Sequence, residues 1–258
     1  MLSIKKIVQG FSLVFALCVS GSSMATVVGL ELVLLTDVSG SVNSTEYNLQ
    51  KQGYINAFSS VAVQNAILGS TAGGIAVTYV EWSSSSQFSQ KVGWTLVNDA
   101  ASAVSFASAL NGVTRTFSNS TAIQSAIYNA RSLFGTETGF ASNGFESGRQ
   151  VIDVSGDGTR NQGLGGTTGR DAALLAGVDT INGITIGNAS NLTNYYANNV
   201  IGGTNAFVSH ATSFSDFGAA IQAKLVREIT PVNVSEPGSV ALLGLGLLGL
   251  AAGRRRRG

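Results

Sequence analysis

LELVLLTDVSGS, residues Leu30 to Ser41, is the stretch whose reading decides the fold. Leu32 to Leu35 form a continuous apolar block, which suits a strand covered on both faces, as in a parallel sheet between layers of helices. The block ends abruptly in Asp37, with Ser39 and Ser41 at alternate positions on a turn softened by Gly40. Ligands of open α/β sheets bind beyond the carboxyl ends of the strands, so chemistry is expected at this turn. A helix follows, with Asn43 or Ser44 as its cap and Glu46 in its first turn.

One carboxylate and two hydroxyls on a single loop suit a small hard cation that keeps several waters, which points to Mg2+ or Mn2+. A helix cap is the plainer use of the same residues. The spacing D-x-S-x-S resembles the first element of the metal-ion-dependent adhesion site of von Willebrand factor A domains.

The chain then alternates. A helix over Ser44–Val61 leads to a second buried strand, Gly73–Ser83, and an edge strand over Gln87–Leu96. Trp82 and Trp94 are expected in the core. Helical apolar spacing covers Asp99–Leu110, and a further helix begins near Thr121 with Ile123, Ile127, Ala130 and Phe134 on its apolar face. The Thr121 hydroxyl could cap that helix or bind a cation, and Ser120 could equally well be the cap. Val151–Ser155 is another buried strand that breaks into a glycine turn carrying Asp157. Asp153, inside the strand, is expected to make a buried hydrogen bond. Helices near Thr168–Ala176, Leu192–Asn198 and Ser215–Glu228 and strands over Asp179–Ile186 and Ala206–Ser209 complete an α/β domain, a mostly parallel sheet with helices on both faces.

In the von Willebrand pattern the second loop supplies a threonine and the third an aspartate followed by glycine. The resemblance therefore implies a metal site of Asp37, Ser39, Ser41, Thr121 and Asp157. TYVEWS, DAASA, RQVIDVSGDG, NGITIG, VIGGTNAF and KLVREI extend it over nearly all of Leu30 to Ile229, to a von Willebrand A-like family of exported bacterial proteins of unknown function.

The ends are of another kind. Lys5 and Lys6, an apolar run from Ile7 to Val19 and the small residues to Ala25 resemble a secretory signal peptide over residues 1–25. The one cysteine of the chain, Cys18, lies within it, so the mature chain has no thiolate for zinc, disulfide or nucleophile. Residues 26–230 form the domain and 231–236 a linker. From Thr26 to Ser235 there are nine Lys and Arg against thirteen Asp and Glu, a formal charge of −4, which disfavours nucleic acid as a partner. In the tail, 237–258, an uncharged run from Pro237 to Gly253 would reach about 25 Å as a helix, slightly short of the ~30 Å hydrocarbon core. Arg254 to Arg257 would hold its end on the cytoplasmic side. Together with Glu236-Pro237 this tail resembles the PEP-CTERM sorting signal, which implies removal by an exosortase-type enzyme after transient anchoring in the inner membrane.

Two motifs mislead. Gly244 to Gly249 satisfies G-x-G-x-x-G without a preceding strand, and His210 stands apart from any serine motif that would make a hydrolase. Three functions are expected in order: an exported binding module whose ion takes a carboxylate of a protein or acidic polysaccharide; a surface or matrix protein with a purely structural ion; and a metal-dependent extracellular hydrolase.

Overall fold

A computed structural model describes residues 24–188 and 191–230. The expected signal peptide up to residue 23, the linker from Pro231 and the apolar tail, with its membrane segment and glycine motif, lie outside the described residues. Among the described residues no helix is long and apolar enough to cross a membrane.

The elements follow in the order β1 (Thr26–Val28), β2 (Glu31–Asp37), α1 (Ser44–Ser59), α2 (Val61–Leu68), β3 (Ile75–Trp82), β4 (Phe88–Val97), α3 (Ala100–Asn111) and α4 (Ile123–Ala130). A tight helical segment, Arg131–Thr138, leads to β5 (Phe145–Ser147), β6 (Gln150–Gly156), α5 (Thr168–Ala176) and β7 (Thr180–Ile186). Then come α6 (Leu192–Tyr195), a wider helical turn Tyr196–Val200, β8 (Gly202–Gly203), β9 (Val208–Ala211) and α7 (Phe217–Ile229). The main sheet runs β4-β3-β2-β6-β7, and β8 and β9 pair in turn with the far edge of β7. β2, β3, β6, β7 and β9 are parallel, while β4 and β8 are antiparallel. β1 and β5 form a separate parallel pair.

Every residue of β2 is buried, because its two faces meet different layers. Leu32 and Leu34 pack with Tyr54, Phe58, Phe106 and Leu225 beneath α1, α3 and α7. Val33 and Leu35 pack with Ile123, Ile127, Ala173 and Tyr196 on the other side. This is why the run is apolar throughout rather than alternating. The chain leaves β2 through α1 on one face and leaves β6 through α5 on the other. The neighbouring strand ends β2 and β6 therefore form a switch point, with a crevice between their loops.

The expected first helix is divided. Ser60 closes α1 and its hydroxyl accepts from the Val63 N–H at 3.3 Å to open α2, so one polar residue ends one helix and starts the next. Trp82 is buried, and Trp94 packs beside Phe134 while its indole N–H donates to the Leu133 carbonyl at 2.8 Å. Asp153 corrects its expectation. Its carboxylate makes no hydrogen bond but an ion pair, with Oδ1 2.5 Å from the Lys224 Nζ of α7, both side chains fully buried. Lys224 also pairs with Glu228, whose Oε1 accepts from the Asn182 amide at 2.8 Å.

Glu31, buried at the start of β2, accepts from the Asn143 amide at 2.6 Å and the Ser147 hydroxyl at 3.1 Å. Burial foremost, opposed by Asn143 and reinforced by Glu137, pushes its carboxyl up to about 7. A carboxyl raised in the folded state favours folding while protonated, and that contribution is lost as pH rises from about 4.5 to about 7. Glu31→Gln should therefore gain on the wild type between pH 5 and pH 8, by about 1 kcal/mol once partial solvent screening is allowed for. Thermal melts at the two pH values check this, and an identical difference at both would refute it.

Candidate metal centre

Three loops meet at the crevice. In the first, the Asp37 carboxylate Oδ1 accepts from the Ser39 N–H at 2.8 Å, a local turn that aims Ser39 and Ser41 at the crevice. Asn43 caps α1, taking the Thr45 and Glu46 N–H groups, and Glu46 returns a bond to the Asn43 N–H at 2.8 Å. The Gly40 N–H donates to the Asn119 carbonyl of the second loop at 2.6 Å, a close approach in which a Cβ would stand 3.3 Å from that oxygen.

In the second loop neither Ser120 nor Thr121 caps α4. Ala122 holds the capping position, with no side-chain hydrogen bond there. The Thr121 hydroxyl instead donates to Ser39 Oγ at 3.2 Å. Ser39 Oγ lies 3.2 Å from Ser41 Oγ, and the Ser41 hydroxyl donates to Asp157 Oδ1 of the third loop at 2.7 Å. The five residues singled out from the sequence are thus brought together through one hydrogen-bonded chain. Asp37, Ser39 and Thr121 lie buried at its base and Ser41 is exposed at its mouth.

The electrostatics are unbalanced. Burial, with the charge of Asp157 adding to it, pushes the Asp37 carboxyl up to about 7, and burial also raises Asp157. Among the described residues no Lys or Arg forms an ion pair with either. Asp37 Oδ2 is buried without a hydrogen-bond partner, as is the Tyr196 hydroxyl. Both atoms crowd Gly156 at the end of β6, where a Cβ would come within 2.6 Å of the tyrosine oxygen and 2.9 Å of Asp37 Oδ2. A buried carboxylate oxygen without a partner, on the same loop as the Ser39 and Ser41 hydroxyls, is a donor set that a hard cation fits. The set needs only two carboxylates, and among the described residues no group of three or more His, Cys, Asp and Glu is placed to hold a metal ion.

Residues that the sequence did not mark hold the loops. The Arg115 guanidinium donates to the Val38 and Ser39 carbonyls at 2.8 and 2.9 Å. Asn161 and Thr121 exchange hydrogen bonds, 2.8 Å into the Asn161 side chain and 3.0 Å from its N–H. Ser83 ties Asn119 and Ser120 to the end of β3. His210 is exposed on β9, with Nδ1 3.0 Å from the Thr185 hydroxyl. Tyr196 packs in the core, and Tyr195 accepts from the Arg160 N–H at 3.3 Å.

The switch-point sheet and the loops at its strand ends define an α/β domain of the von Willebrand factor A type. The chain belongs to the family described as Protein of unknown function (DUF1194), whose model matches residues 27–233. Residues 233–257 match the PEP-CTERM protein-sorting motif. No curated protein matches the chain. Among solved structures it is similar to proximal thread matrix protein 1 from the mussel byssus with a zinc-occupied MIDAS motif, at 15% identity and a TM-score of 0.54, covering 80% of this chain and 48% of that one. It is also similar to the pilus adhesin SpaC from Lactobacillus rhamnosus GG in its open conformation, at 13% identity and 0.53, covering 78% and 30%. A von Willebrand factor type A protein from Catenulispora acidiphila gives 12% and 0.51, covering 78% and 42%. The chain spans half or less of the length of each.

Proposed function

We propose that the protein is an exported adhesion-type binding module, in which residues 26–230 bind Mg2+ or Mn2+ through Asp37, Ser39, Ser41, Thr121 and Asp157. The ion keeps one coordination position for an acidic group of a partner, either a protein carboxylate or an acidic polysaccharide. The observation that carries this reading is the Thr121 hydroxyl, which is not used as a cap but donates to Ser39 Oγ, on the same loop as Asp37 with its unpartnered buried oxygen. An all-oxygen donor set favours magnesium or manganese over softer metals. With two carboxylates the bound ion retains little net charge and stays electrophilic toward an incoming anion. A purely structural ion is the weaker reading, because Arg115, Ser83 and Asn161 already tie the three loops to one another without it. We read the module as non-enzymatic. A signal peptide over 1–25, a linker over 231–236 and a tail over 237–258 removed by an exosortase-type enzyme would leave it at the cell surface or in the extracellular matrix, after transient inner-membrane anchoring.

Cross-linking on intact cells tests the proposal. The partner should be captured with Mg2+ or Mn2+ and lost in chelator, and Thr121→Ala should cut capture about tenfold while shifting the melting temperature by no more than about 2 °C. Capture that chelator leaves untouched would rule out coordination by the ion.

A further inference from the structure

Asp153 of β6, its neighbour across the ladder Asn182 of β7, and Lys224 and Glu228, one turn apart on α7, form a polar cluster inside the core, each no more than 3% exposed. Among the described residues neither oxygen of the Asp153 carboxylate has a hydrogen-bond partner. The Lys224 Nζ lies 2.5 Å from Oδ1, yet its approach lacks the geometry of a hydrogen bond. An ammonium seated on a carboxylate lone pair stands farther off, at roughly 2.7–2.9 Å. The carboxyl carbon is one C–O bond from that oxygen, so it lies within roughly 3.7 Å of the nitrogen. Atoms placed for attack are about 3–3.5 Å apart.

Glu228 supplies a second acid at the same nitrogen. Its Oε1 accepts from Lys224 Nζ and, at 2.8 Å, from the Asn182 amide, while among the described residues Oε2 has no partner. Burial foremost, with Asp153 adding to it and Lys224 opposing, pushes its carboxyl up to about 7, so it takes up and returns a proton near neutrality. Asn182 also holds a cover in place. Its Oδ1 accepts from the Phe207 N–H at 3.0 Å, and the Phe207 ring lies 5.4 Å from Lys224 Nζ with the Arg227 guanidinium 3.6 Å from its centre. Each ion kept this far from water costs several kcal/mol. A neutral amide would retire both charges and leave one carbonyl oxygen where Asp153 has two without partners.

We propose that Lys224 and Asp153 condense, once the chain has folded, into an isopeptide bond between Nζ and Cγ, with Glu228 as the proton relay. Glu228 takes a proton from the ammonium, and the freed amine attacks the carboxyl carbon. The Nζ–Cγ bond forms, one Cγ–O bond breaks, and that oxygen leaves as water with two of the three ammonium protons. Both protons pass through Glu228, which ends as it began, and no oxidant or further reactant is needed. The fixed juxtaposition supplies an effective concentration that free groups in water lack, and exclusion of water opposes hydrolysis back to the acid. Until the bond forms, the cluster behaves as a buried ion pair. Once formed, it makes α7 and β6 one covalent unit, so a pull on the chain past Thr230 reaches the central sheet without relying on packing.

Peptide mapping of the purified full chain tests this. Trypsin should fail to cut after Lys224, and the fragment 150–160 should be recovered joined to 171–227, with the mass of one water missing from their sum. The joined fraction should rise as newly made protein is incubated. Glu228→Gln, which keeps an acceptor for Asn182, should slow that rise by about 100-fold or more, and Asp153→Leu should abolish the joined fragment. The wild-type map decides the bond even where a variant fails to fold. Separate fragments of full mass after prolonged incubation would overturn the proposal. Loss of ammonia in place of water would overturn it too, by making Asn182 the acceptor, and a rise that Glu228→Gln leaves unchanged would remove the relay.

Discussion

Lys224→Met should lower the stability of the domain by about 3–5 kcal/mol, the usual cost of removing one partner from a buried ion pair. The substitution is close to isosteric, so the cavity contribution is small and the loss is electrostatic. Among the described residues Lys224 is the one cation that forms ion pairs with Asp153 of β6 and Glu228 of α7, and all three side chains are buried. Burial foremost, with Asp153 adding to it, already pushes the Glu228 carboxyl up to about 7 even with the lysine beside it. Without Lys224 the Glu228 carboxyl must be held neutral in the folded chain. Groups raised in this way stabilise while protonated and cease to do so as pH rises through their folded values, so the deficit of the variant should widen from pH 5 to pH 8. For a domain of this size the melting temperature should fall by roughly 6–20 °C at pH 8. Removing both acids as well, in Lys224→Met with Asp153→Leu and Glu228→Gln, should recover most of the loss. A single variant melting within 2 °C of wild type at pH 8 would show that the ion pair does not hold α7 to the sheet.

Saturating Mn2+ or Mg2+, at about 100 times the dissociation constant, should add ~2.7 kcal/mol, a rise of roughly 5–10 °C in melting temperature. The gain has two sources, the new metal bonds and the relief of one buried and one half-buried carboxylate that make no ion pair with a side-chain cation among the described residues. Asp37→Ala separates them. It removes an orphan acid from the interior, so in chelator the variant should melt no lower than wild type by more than about 2 °C, yet added ion should raise it by nothing. A wild type that melts identically in chelator and in Mn2+ would mean that these residues form a polar network and not a metal site.

The core of the fold is legible because its central strands are covered on both faces. The continuous apolar run of β2 and the β-branched and aromatic run of β3 leave few alternatives, and the helical spacing of Ile123, Ile127 and Ala130 marks the α4 face that covers one side. β9 begins at Val208, two residues later than expected, and β1, β5 and β8 pass unmarked, since strands of two or three residues have no periodicity to detect. The Ser60 break hides because serine at a cap and serine on a solvated helix face look alike in sequence. The five candidate ligands are legible through position, each lying just beyond a strand or at a helix head. Arg115 is not, because its carbonyl partners are 76 and 77 residues away and no local pattern encodes that meeting. Lys224 did leave a trace: it shares the apolar stripe of α7 with Ile221, Leu225 and Glu228, and a charge there calls for a buried counterion.

The direction of α7 decides how the module can be mounted. Its last turn lies beside the start of β6, where the Arg149 guanidinium donates to the Glu228 carbonyl at 2.7 Å. The other end of the described chain lies at the same side, with the Gly29 N–H bonded to the Gly74 carbonyl just before β3. The three loops sit at the opposite pole, the length of β2 away, roughly 20 Å. Any tether drawn out past Thr230 thus leaves from the base, while the loops point the other way like the head of a pin. On the proposed reading, a bulky partner on that head would stay clear of anything to which such a tether were fixed.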